Sequence, residues 1–117
     1  MHLIRDTVGF CVATGLFISS MYAWSDSSLN ADQMAGKKLT LEFCQACHQY
    51  QGTEQAGTVA PPLIGMKQRF PNRQTLFNII YDPHKNLSKD TMMPPFGRNE
   101  LLVEDEIERV IDFLYTL

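Results

Sequence analysis

An all-α domain is predicted from three observations. The C-terminal segment carries Ile107, Val110, Ile111 and Leu114 at i, i+3, i+4 and i+7, which is one face of a helix. Two earlier stretches each open on a helix-start asparagine followed by a run carrying apolar residues, the second stopped by a proline. No segment reads as a strand, and the chain contains no internal repeat.

The first helix is capped by Asn30, starts at Ala31 and runs through Met34, Leu39 and Phe43. Gly36 lies inside it at a cost of about 1 kcal/mol relative to Ala, a cost that suits close approach of another helix. A Gly/Pro/Thr-rich loop follows from Gly52 to Pro62. Asn72 caps a second helix with Leu76, Phe77, Ile79 and Ile80 as its apolar positions, and Pro83 stops it. A second loop, His84 to Asn99, holds Met92-Met93-Pro94-Pro95-Phe96-Gly97. The last helix has Glu104, Asp105 and Glu106 in its first turn, where the helix dipole favours acids. The run Glu104–Glu108 therefore reads as a helix start and a solvated face, not as a pair of catalytic carboxylates.

Length and composition bound what such a domain can do. The 117 residues fit one small domain. Ten Lys and Arg against thirteen Asp and Glu give −3, which excludes the basic footprint of a nucleic-acid binder. With 44% hydrophobic and 20% charged residues, the chain is neither disordered nor polytopic. Residues 1–25 read as an export signal. After Arg5, the apolar centre Val8–Ile18 has the length of a signal core and falls short of the roughly 20 residues that span a bilayer. Ala23-Trp24-Ser25 supplies a small-x-small cleavage triplet, with an uncleaved anchor as the alternative. Cys11 lies inside that segment and would leave with it. A periplasmic mature domain of residues 26–117 is expected, with no membrane span after cleavage. So small a core is marginal alone and calls for a staple.

Cys44-Gln45-Ala46-Cys47-His48 supplies one. Two thiols one helical turn apart, followed at once by His, form the attachment signature of c-type haem. Each thiol can add to a vinyl group of one porphyrin, and the next residue brings an imidazole to the iron as proximal ligand. A thioredoxin-like redox pair would follow a strand, and none precedes Cys44. A zinc site would need a second ligand pair, which neither a further cysteine nor His2 and His84 provides. One covalent haem c, with its iron held by His48, is the expected cofactor.

A second axial ligand is expected from methionine. Met66, Met92 and Met93 follow the haem motif, and Met93 stands directly before Pro94 and Pro95, which bar a helix and impose an extended path. Met93 is taken as the ligand and Met92 as the alternative; hydrophobic packing is the non-functional use of both. His84, beside Asp82, Lys85 and Asn86, reads as a solvated loop histidine.

In this order of helix, CQACH, proline loop, helix, methionine loop and C-terminal helix, the chain resembles a class I c-type cytochrome over nearly all of residues 26–117. The resemblance implies about three main helices wrapped around one covalent haem. It also implies that the Pro61 carbonyl accepts the His48 Nδ1–H, that Leu63 packs on the haem face, and that Arg69 pairs with a propionate. Gly36 would cross the last helix against Phe113. Two positions depart from the family pattern. Thr40 replaces an aromatic, which predicts a looser crossing, and Val103 replaces a Ser/Thr cap, which predicts a frayed start costing about 1 kcal/mol.

Ala60-Pro61-Pro62-Leu63, Asp82-Pro83, Thr91 to Arg98 and Leu101 to Ile107 further resemble the SoxX family of monohaem subunits. That likeness implies a non-catalytic electron-transfer subunit in a SoxAX heterodimer, an L-cysteine S-thiosulfotransferase. The complex joins thiosulfate oxidatively to a cysteine of the SoxYZ carrier, and a SoxA-like cytochrome subunit holds the reacting haem. Electrons then pass through the SoxX haem to a downstream cytochrome. The alternative is a free electron-shuttle cytochrome of a periplasmic respiratory chain. A shuttle shows a charged docking ring, whereas a permanent subunit buries an apolar rim, for which Pro94, Pro95, Phe96 and Met66 are the expected exposed residues. A haem enzyme in its own right would need an open iron position, which a methionine ligand would close.

Overall fold

A computed structural model of the chain describes residues 29–50, 57 and 59–117. The expected export segment and Cys11 lie outside the described residues. Five helices follow one another: α1 (Ala31–Phe43), α2 (Met66–Arg69), α3 (Arg73–Tyr81), α4 (Pro83–Asn86) and α5 (Glu104–Leu114). No strand occurs among the described residues, so the all-α reading holds.

The starts of α1 and α3 follow from their cap residues. Asn30 Oδ1 accepts from the Gln33 N–H at 2.9 Å, and Gln33 Oε1 accepts from the Asn30 N–H at 2.9 Å. This reciprocal pair satisfies two of the donors a helix leaves open at its start. Asn72 Oδ1 does the same for α3, accepting from the N–H groups of Gln74 and Thr75. At α5 the expected weak cap is only half of the picture. Val103 offers no side-chain acceptor, yet Glu106 Oε2 reaches back to the Val103 N–H at 3.0 Å. The acidic run is also more than a solvated face, since Asp105 pairs with Arg109 and Glu108 with Arg73.

α1 and α5 cross at Gly36. A Cβ there would overlap the backbone carbonyl of Arg109 and press on Phe113 Cβ, so only glycine permits this approach. One turn later Thr40 is fully buried, and its hydroxyl donates to the Gly36 carbonyl at 2.8 Å. Thr40 thus costs the crossing no closeness: a small side chain whose polar atom is satisfied locally lets the helices meet without an aromatic between them. On α5, Ile107, Val110, Ile111 and Leu114 are all buried, as their spacing predicts, and Phe113 joins them. Fully burying such side chains contributes about 1.5–3 kcal/mol each. α3 adds Leu76 and Ile80 to the same cluster and is clasped to α5 by Arg73, which donates to Glu108, to Asp112 Oδ1 at 2.8 Å and to the Glu108 carbonyl at 2.7 Å.

Three expectations need correction. The stretch from His84 is not loop throughout. Pro83 sits at the first position of α4, where its fixed φ is pre-set for a helix and its missing N–H costs nothing. His84 is accordingly half-buried rather than solvated, with Nδ1 at 3.1 Å from the Lys89 carbonyl. Third, the expected apolar rim is mostly core. Met66 is 3% exposed and Phe96 5%, and Pro95 is buried too, which leaves only Pro94 at the surface. Phe96 packs edge-on to Phe43 at 6.2 Å between ring centres, an arrangement favoured by the ring quadrupoles.

Candidate haem-attachment site

The attachment motif sits on the turn that closes α1. The N–H groups of Cys44 and Gln45 both donate to the Thr40 carbonyl, and those of Cys47 and His48 both donate to the Cys44 carbonyl. The chain therefore makes one further helical turn past Phe43. This keeps Cys44 and Cys47 on neighbouring positions of one face and brings His48 in directly after them.

The proline loop is laced alongside that turn by main-chain bonds. Gly57 N–H donates to the Gln45 carbonyl at 2.9 Å, Ala60 N–H to Cys47 at 3.1 Å and Leu63 N–H to Gln49 at 2.8 Å. Gly57 lies so near the motif that a Cβ on it would overlap the Ala46 carbonyl. This residue was missed by sequence reasoning; its signal was present only as one more glycine in an irregular loop. The lacing puts the Pro61 carbonyl at 2.7 Å from His48 Nδ1. That bond fixes the proton on Nδ1 and leaves Nε2 with its lone pair, the state a metal-binding imidazole requires.

Burial differs sharply between the two thiols. Cys44 is half-buried and packed against the core, and burial, with Cys47 nearby, pushes its thiol up to about 12. Cys47 is exposed. A redox dithiol works through a thiolate of lowered pKa, so the shift at Cys44 runs against that use and agrees with the lack of a preceding strand. Among the described residues, no group of three or more His, Cys, Asp and Glu is placed to hold a metal ion by itself. The donors that remain, two thiols a turn apart and an oriented imidazole, fit a porphyrin iron.

The methionine loop separates its two candidates. Met92 is 86% exposed, whereas Met93 is half-buried and packs against the core cluster. Successive residues of an extended segment point to opposite sides, and Pro94 holds the segment extended. The Met93 N–H is fixed by Thr91 Oγ1 at 3.2 Å. Leu63, at 7% exposure, lies in the core cluster. Arg69 is exposed, and its Nη1 donates to the Pro62 carbonyl at 2.9 Å, with the Ile64 carbonyl and Met66 Sδ each at 3.5 Å. It braces the loop that carries Pro61.

A family model described as cytochrome C oxidase, cbb3-type, subunit III matches residues 31–114. No curated protein and no solved structure matches the chain. No helix among the described residues is long and apolar enough to cross a membrane.

Proposed function

We propose that the chain, which belongs to the class I c-type cytochromes in the family described as cytochrome C oxidase, cbb3-type, subunit III, is the electron-accepting monohaem subunit of a SoxAX-like complex. Its general role is electron transfer, and its cofactor is covalently bound haem c with iron. When bound, that group supplies a one-electron iron couple.

The chain's own residues do the rest. Cys44 and Cys47 fasten the porphyrin through two thioethers. His48 Nε2 is offered to the iron while the Pro61 carbonyl holds Nδ1–H, which keeps the ring orientation fixed and the nitrogen basic. Met93 would hold the iron through its thioether, a ligand that would raise the potential relative to a second imidazole. Leu63 and Phe96 keep water from the core side. His48 and Met93 would together hold the iron from side chains of this chain, and in this reading the catalytic chemistry belongs to a partner.

One observation favours a permanent subunit over a shuttle. Apolar side chains project from the segments flanking the haem motif: Val59 at 70% and Ile64 at 60% exposure on the proline loop, and Met92 at 86% on the methionine loop. These, and not the buried Met66, Pro95 and Phe96, form the exposed apolar surface. Apolar groups of this kind suit burial against a SoxA-like cytochrome subunit better than brief docking through charge. In this reading the partner joins thiosulfate to a cysteine of a SoxYZ-like carrier, and electrons leave through this haem to a downstream cytochrome. Cytochrome c domains are usually exported, and a periplasmic location through residues 1–25 is part of the proposal.

Purification of the native protein without a tag tests it. A second haem protein at equal stoichiometry, retained at high salt, is the expected result. A lone monomer whose only partner dissociates with salt would replace this reading with the shuttle.

A further inference from the structure

The methionine loop is tied down chiefly at its downstream end. Phe96 N–H donates to the Ile80 carbonyl at 3.2 Å, and the N–H groups of Gly97 and Arg98 both donate to the Tyr81 carbonyl, at 3.2 and 3.1 Å. A Cβ on Gly97 would overlap the Tyr81 ring, so this end of the loop lies flat on the last turn of α3. The next residue is Asp82, which is 9% exposed. Its Oδ2 accepts from Arg98 Nη1 at 3.1 Å, while its buried Oδ1 has no hydrogen-bond partner. The carboxylate is not used to cap α4, and the Asp82 carbonyl is already taken by the N–H groups of Lys85 and Asn86 and by the Asn86 side chain.

A buried carboxylate aimed at a single arginine, at the corner where three loop bonds converge, goes beyond what the α3–α4 turn itself requires. We infer that Asp82 and Arg98 form a latch that positions Met93, holding the methionine loop closed; this rests on the Met93 assignment proposed above. The physical reason is desolvation. A carboxylate with one oxygen unpaired in the interior depends on the pairing of the other. Without Arg98 it moves toward water and draws the Tyr81–Asp82 corner with it. Pro94 and Pro95 leave little slack between that corner and Met93, so the displacement reaches the thioether.

Imidazole added to the ferric holoprotein reads this directly, because it binds only when Met93 has left, and its apparent affinity scales with the open fraction. Its binding is followed by loss of the weak long-wavelength absorption band of a thioether–ferric iron bond. Arg98→Ala is expected to tighten imidazole binding about tenfold in native buffer, Asp82→Asn to shift it in the same direction, and Arg98→Lys to restore most of the wild-type value. In a Met93→Ala background, Arg98→Ala should leave imidazole affinity unchanged. Unchanged affinity in Arg98→Ala with a lowered urea midpoint would mark a brace for the fold alone and overturn the inference. An equal shift in the Met93→Ala background would overturn it as well. A wild-type spectrum without the thioether band would instead remove the ligand assignment beneath it.

Discussion

The crossing of α1 and α5 yields a prediction whose sign is unusual. At an ordinary exposed helix position, replacing glycine by alanine stabilises by about 1 kcal/mol. Gly36 is buried, and its missing Cβ is the space occupied by the Arg109 carbonyl. That obstacle is main chain, which cannot rotate away, and Phe113 Cβ stands beside it at 3.1 Å. Gly36→Ala must push the helices apart where Thr40, Val110 and Phe113 are buried. Overpacking of this kind costs about 1–3 kcal/mol, and with two backbones in contact the upper end applies. After subtracting the helix-propensity gain, a net loss of about 2 kcal/mol remains. For a domain of this size that lowers Tm by roughly 8–16 °C. Thermal unfolding of the holoprotein, followed by far-UV circular dichroism, measures it. A Tm equal to or above that of the wild type would refute the crossing geometry.

Other consequences are as direct. Met93→Ala abolishes the thioether–iron band in the ferric spectrum, whereas Met92→Ala, altering a side chain that faces solvent, leaves it in place. Gly57→Ala forces the proline loop off the Ala46 carbonyl; the expected result is a loss of about 1–3 kcal/mol in urea unfolding, together with a higher reduction potential, because a looser Pro61–His48 bond leaves the imidazole a weaker donor to ferric iron. Arg73→Ala removes the clasp to Glu108 and Asp112, but all three side chains are more than a third exposed, so solvent screening limits the loss to about 1 kcal/mol. Urea midpoints at low and high salt should then converge relative to the wild type.

Legibility in the sequence followed length and locality. α1, α3 and α5 each carry a start signal and run for more than two turns, α5 with a clear apolar period, and each begins at the residue its signal indicates. Gly36 was legible because an interior glycine is costly unless something approaches it. The one-turn helices α2 and α4 were not, since four residues span a single turn and carry no period. The burial of Met66, Pro95 and Phe96 was misread for another reason. Sequence beside prolines looks like surface loop, while burial is decided by contacts far along the chain, as in the packing of Phe96 on Phe43. At the site, the CQACH spacing and the Pro61 acceptor were readable. The brace by Arg69, the lacing through Gly57 and the Asp82–Arg98 pair depend on loops folding back on helices, which local pattern does not encode.

The intact mass of the secreted, folded protein tests the central claim most directly. The account predicts the mature chain plus one porphyrin iron, retained after acid extraction and released from neither sulfur by unfolding, with both attachments lost in Cys44→Ser/Cys47→Ser. A folded protein with the mass of the polypeptide alone would contradict it.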